Sequence, residues 1–204
     1  VPRVASSLAR LYQLRASQLQ ERLSTFAIEN WNALGEWSAG ENAAFAEIMG
    51  GTSTQAQTVL VQMLSSMVTR QVGTPAEIDL SAVVGDATRP DDGIVGAWEI
   101  PMQSAWKHLA DGDLTQDELV SMMQDEVSSQ AITDLAQSQR LAMSDLYARG
   151  IVQGYWRVPN PGSSCDFCNE IADRLYYTED LMPVHPNCQC TVEVASAEEV
   201  AAEA

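Results

Sequence analysis

Outside residues 165–190 the chain has no cysteine, and it holds only two histidines, His108 and His185. Any thiol-based centre therefore has one possible address. No run approaches the roughly eighteen apolar residues of a membrane span, and residues 1–7 lack the hydrophobic core of a signal peptide. Basic residues are scarce: 11 Lys and Arg stand against 28 Asp and Glu, a formal net charge of −17. Proteins hold nucleic acid largely through Lys and Arg neutralising phosphates, so the acidic body is unfit for that role. Glycine and proline number only 12 and 8 in 204 residues, while 46% of residues are apolar. That composition supports a folded protein with a real core, as one domain or as one domain with a small appendage.

Charge is unevenly spread. Residues 1–28 carry Arg3, Arg10, Arg15 and Arg22 against Glu21 alone, whereas residues 29–204 carry 7 basic and 27 acidic groups. Any contact with DNA would come from this first segment. Four arginines on a long helix are otherwise a solvated face.

Most of the chain reads as helix. Residues 4–34 contain no Gly or Pro, and Leu8, Leu11, Leu19, Leu23 and Phe26 fall in one helical arc. Gly35, Gly40 and the pair Gly50-Gly51 then punctuate the sequence, leaving helical stretches at 42–49 and 54–72, so that the first 75 residues read as a helical hairpin or three-helix unit. The segment 75–93, with its GDATRPDDG run, has the chemistry of an exposed loop or hinge. A helix over 96–110 follows. Thr115 and Glu118 form a capping box, and Leu119, Met123, Val127, Ala131, Leu135, Ala142 and Leu146 carry a stripe to Arg149, roughly 50 Å of helix and long enough to suggest a stalk or bundle. Met122, Met123 and Met143 are core filler or an interaction face.

After Gly150 the period shortens. GYWRVP, RLYY and CQCTVEV read as three short strands, the last alternating Cys188, Cys190 and Val192 against Gln189, Thr191 and Glu193. Three such strands cannot bury a core of their own and call for a metal or disulfide staple. Cys165-x2-Cys168 is a knuckle spacing, and His185-x2-Cys188 supplies a second pair, with Cys190 as a fifth candidate. Four of the five can close a tetrahedral zinc site of structural type, without an open position for a water nucleophile. Two disulfides would leave His185 unexplained. Cys188 is favoured over Cys190 as fourth ligand because His185-Pro186-Asn187-Cys188 has knuckle form. The fold class is thus mainly α, a long-helix bundle or stalk with a small zinc-stapled C-terminal β module. The divisions are 1–114, 115–194 and an acidic tail at 195–204.

A long helix running into GYWRVPNPGSSCDFCNEIADRLYY and closing with PVHPNCQCTVEV resembles the C-terminal domain of tailed-phage minor head proteins related to phage Mu protein F, the MuF-like or head morphogenesis family. The resemblance covers about residues 115–194 and rests on the Cys-x2-Cys and the His-Pro-x-Cys-x-Cys that follows it. NEIADRLYY stands where family members carry Leu-Asp-Gly, and residues 1–114 match only in helical character. The resemblance implies a structural, non-enzymatic minor capsid protein acting in head assembly or genome packaging. Its partners would be the portal protein or the major capsid protein, and it would be oligomeric within the virion after assembly in the host cytoplasm.

Two enzymatic readings compete. A zinc-supported nuclease needs a basic setting, yet residues 155–194 hold two arginines and six acids. A capsid maturation protease would need His108 and a nearby serine. His108 lies in SAWKHLADG near a helix C-terminus, where a partly exposed imidazole is ordinary.

Overall fold

A computed structural model describes residues 5–112, 114–161, 165–172, 174–177 and 185–203. Four long helices build the body. The first, α1 (Ser7–Asn32), starts at Ser6, whose side chain accepts from the Ala9 amide. Of the expected arc Leu23 is buried and Leu8 and Leu19 pack partly against the core, but Leu11 is 45% and Phe26 36% exposed, and Ala9, Tyr12, Ala16, Ala27 and Trp31 complete the buried face. Alanines line the face because α1 packs against two neighbouring helices, and small side chains let the backbones approach.

The second helix, α2 (Ala39–Val72), is continuous for 34 residues behind a Ser38–Glu41 capping box, so the Gly50-Gly51 pair does not break it. Gly50 is there for a close approach. A Cβ built on it would meet Val95 Cγ2 at 2.9 Å and Val95 Cα at 3.3 Å. Val95 belongs to α3 (Gly93–Asp111), so the two helices lie together at this point, and the packing offsets the weak helix propensity of glycine. Pro101 sits inside α3 and is fully helical. It has no N–H to give the Ala97 carbonyl, and the Gln130 side-chain amide supplies that bond at 2.9 Å.

Gln130 lies on α4 (Gln116–Ala148), which begins at the expected Thr115–Glu118 capping box. All seven stripe residues from Leu119 to Leu146 are buried, as is Met143, and Met122 packs partly buried against the same core. The long helix is not a stalk, because it lies along α1, α2 and α3 and buries its stripe against them.

The expected exposed loop is bolted down instead. Its Gly85–Thr88 turn is a 3-10 helix with Gly85 and Thr88 buried. Gln57 of α2 reaches into it, accepting from the Gly85 amide and donating to Thr88 Oγ1 and to the Asp134 carbonyl. Arg89 then pairs with the buried carboxylate of Asp134.

Three strands form one antiparallel sheet: β1 (Tyr155–Val158) lies between β2 (Leu175–Tyr176) and β3 (Thr191–Val194). The strand β3 begins after Cys190, so neither of the last two cysteines is in the ladder. Nor does it have a polar face in solvent. Thr191 donates its hydroxyl to Gln13 of α1, and the Glu193 carboxylate accepts from the Ser6 amide at 3.0 Å. One cluster of buried side chains runs from Ala9 in α1 to Val192 in β3. The short α5 (Asp166–Glu170) carries Cys168 and is capped by Cys165, and α6 (Ala197–Glu203) gives the acidic tail a helix whose Val200 packs on Trp156 and Leu175. Among the described residues, no helix is long and apolar enough to cross a membrane.

Candidate metal centre

Each ligand pair is set by its own local turn. Cys165 is the N-cap of α5, and its sulfur accepts from the Cys168 amide at 3.4 Å, which folds the two thiols toward one point. His185 and Cys188 are brought together by a tight turn in which the Cys188 amide donates to the His185 carbonyl at 3.1 Å. Pro186 fixes the first central position of that turn. Asn187 takes the second with φ of 62°, a conformation Asn tolerates better than most residues.

The two turns face each other across a short gap. His185 Nε2 lies 3.2 Å from Cys165 Sγ and 3.0 Å from Cys168 Sγ. The other ring nitrogen, Nδ1, is 2.6 Å from the Pro186 carbonyl oxygen, which can only accept, so the proton is on Nδ1 and the Nε2 lone pair faces the thiols. Cys165, Cys168 and His185 form one group with donor atoms within 4.8 Å of one another, and Cys168, Cys188 and Cys190 form a second. Cys168 belongs to both. All five candidates therefore converge on a single cluster.

The donor set suits a borderline-soft divalent ion. Bonds of about 2.3 Å to sulfur in a tetrahedron put thiolates about 3.8 Å apart, inside the 4.8 Å that bounds each group of three donors. The cluster can hold a metal ion. Cys165 is exposed whereas Cys168, Cys188 and Cys190 are buried against Ala136 of α4, so the centre would be open on one edge and sealed on the other. Among the thiols, Cys190 donates a hydrogen bond to Cys188, which holds the Cys188 thiol low, while Cys190 itself is held high by the same pairing and by burial. Burial pushes the Cys168 thiol up to about 11.

Arg157 of β1 enters the cluster from the sheet. Only 2% exposed, it donates from Nη1 to Cys168 Sγ at 3.4 Å and to Cys188 Sγ at 3.5 Å. Burial alone would lower its affinity for a proton, but the sulfurs of Cys190 and Cys188 outweigh that and keep the guanidinium charged. A positive charge here compensates thiolates gathered in a dry site.

Behind the sulfurs lies a collar of glutamines. Gln20 donates to the Cys188 carbonyl at 3.4 Å, Gln13 to the Gln189 carbonyl at 3.1 Å, and Gln139 to the Cys190 carbonyl at 3.3 Å. Three successive carbonyls outside any ladder are thus satisfied by side chains of α1 and α4. The collar has its own supports, since Tyr12 donates its hydroxyl to Gln139 at 2.8 Å and Asn160 donates to Gln189 at 3.0 Å. Burial of that phenol raises its pKa.

Sequence reasoning found the five ligand candidates but counted Arg157 only as a charge, and it missed Gln13, Gln20 and Gln139. The signal available was Gln13 and Gln20, seven residues apart and so on one face of α1, where the buried side chains lie.

The remaining candidates lie elsewhere. Comparison with known protein families, curated proteins and solved structures finds no match to the chain. His108 is half-buried in the last turn of α3, and among the described residues no serine or aspartate is hydrogen-bonded to its ring; its charged neighbour is Glu126. Arg3 lies outside the described residues. Arg10, Arg15 and Arg22 are exposed on α1, but Arg10 stands roughly 140° round the helix from Arg15 and turns back to the Ala5 carbonyl. They do not form one stripe.

Proposed function

We propose that the chain is a structural assembly protein whose C-terminal module is stapled by one zinc ion, and that it serves as a minor capsid protein of a tailed phage. The observation that carries the structural half is one cluster of five Cys and His donors, two groups of three that share Cys168, backed by glutamines of two helices that hold the carbonyls of residues 188–190. Cys165, Cys168, His185 and Cys188 are the proposed ligands. Cys190 stands beside them as a hydrogen-bond donor to Cys188. Four protein ligands hold a zinc ion without an open position, which favours a structural over a catalytic role. Zinc in such a site links the strands to the bundle and adds its binding energy to folding.

The phage half rests on the resemblance of residues 115–194 to MuF-like head proteins. A portal or major capsid protein is the proposed partner, and the virion head interior or portal vertex the proposed location. Binding of DNA through the arginines of α1 is disfavoured because Arg10 turns away to the Ala5 carbonyl, leaving only Arg15 and Arg22 on one bearing.

The test compares two variants during head assembly. Cys165→Ser is expected to yield heads that lack this protein or fail to form, whereas His108→Ala leaves assembly and capsid-protein processing intact. A folded, incorporated His108→Ala protein that stalls processing would replace this reading with the maturation protease.

A further inference from the structure

The unburied leucines of α1 mark a second feature, remote from the thiols. A groove of about 320 Å³ runs between α1 and α2, with Leu8, Leu11, Val59 and Met63 among its walls and Arg15 and Arg70 at its margins. Leu11 and Val59 are each 45% exposed. Leu8, Leu11 and Arg15 on one helix, and Val59, Met63, Ser66 and Arg70 on the other, follow three- and four-residue steps, so the groove is walled by two continuous helical faces.

Its charge is opposite to that of the molecule. Residues 54–72 of α2 contain no acidic residue and a single basic one, Arg70, in a chain of net charge −17. Across the groove α1 supplies Arg15. Among the described residues, neither guanidinium forms an ion pair, in contrast to Arg89 with Asp134 and Arg149 with Asp145.

We propose that this groove docks an acidic amphipathic helix of a partner protein. Apolar side chains at i, i+3 or i+4, and i+7 of such a helix would cover Leu11, Val59 and Met63, and glutamates or aspartates flanking them would pair with Arg15 and Arg70. A DNA duplex matches the arginines but has nothing to place on the apolar walls. A second copy docked groove to groove would set Arg15 and Arg70 against their own counterparts, because a two-fold interface brings the same patch to both sides. The inference does not depend on the metal centre.

The experiment uses the full chain and three fluorescent probes: a Leu/Glu amphipathic peptide, the same peptide with Lys in place of Glu, and a short DNA duplex. Saturable anisotropy with the Leu/Glu peptide alone is expected. Binding should weaken at least about tenfold in the Arg15→Glu, Arg70→Glu double variant. A second variant, Leu11→Ser with Val59→Ser, should weaken it comparably at unchanged melting temperature, since all four side chains are exposed or at the groove edge. The proposal is overturned if the Leu/Glu peptide fails to bind, if the Lys peptide binds equally, or if the duplex binds and competes. Self-association of the chain that the Leu11→Ser, Val59→Ser variant abolishes would likewise replace the partner helix by a second copy.

Discussion

The side-chain amide of Gln139 donates to the main-chain carbonyl of Cys190 at 3.3 Å, joining the core helix α4 to the last of the clustered cysteines. Both residues are buried, and the oxygen of the same amide receives the Tyr12 hydroxyl. Gln139→Leu keeps the volume but strands a carbonyl and a phenol. The expected cost is about 2–4 kcal/mol, from two buried polar groups left unpaired. Metal should also leave the variant faster under a chelator, because the collar no longer holds the segment that carries Cys188 and Cys190. Calorimetry and a chelator time course check this; unchanged release would show that the collar supports the fold alone.

Gly50 and Gly51 are neighbours in sequence with opposite roles. A Cβ on Gly50 meets Val95, whereas a Cβ on Gly51 meets nothing within 4 Å. Gly51→Ala is expected to stabilise the protein by about 0.5–1 kcal/mol through helix propensity. Gly50→Ala should destabilise by about 1–3 kcal/mol through overpacking against α3. Urea denaturation of the two variants separates them by sign.

Gln130 repairs the bond that Pro101 cannot make. Gln130→Ala leaves the Ala97 carbonyl without its donor and should cost about 1–2 kcal/mol. In a Pro101→Ala background the cost should shrink, since an alanine amide can serve the same carbonyl. A thermodynamic cycle over the four proteins measures that coupling. Equal costs in both backgrounds would mean that the amide acts elsewhere.

Burial raises the Asp134 carboxyl to about 6 from an ordinary 3.8, with Arg89 offsetting part of the shift. The folded state therefore takes up a proton at a pH where the unfolded chain does not. This contribution to stability is present in full below about pH 4 and is lost as pH rises to about 6, by up to about 3 kcal/mol. Asp134→Asn removes the titration while leaving an oxygen for Arg89. The stability of the natural protein minus that of the variant should fall between these pH values and stay flat above them. A flat difference throughout would place the titration in another group.

Much of the fold and of the metal centre is legible in the sequence. The capping box of α4, its stripe from Leu119 to Leu146 and the five metal-ligand candidates all announce themselves by spacing, which is a one-dimensional signal. What was not legible depends on neighbours distant in sequence. The buried face of α1 is alanine-rich because two helices press on it, and no periodicity of leucines reveals that. Gly50-Gly51 looks like a helix stop until Val95 is placed against it. Gln13, Gln20, Gln130 and Gln139 read as surface residues, since a glutamine becomes a core residue only when a carbonyl with no other partner lies opposite.

Elemental analysis coupled to native mass spectrometry of protein purified without added metal tests the central claim. One zinc per chain with all four thiols protected from alkylation until a chelator is added is the predicted result. Strand signals should then fray on zinc removal while helical content stays nearly intact, because the helices bury their own stripe. A chain that carries no metal, with a mass lower by four hydrogens from two disulfides, would contradict the account.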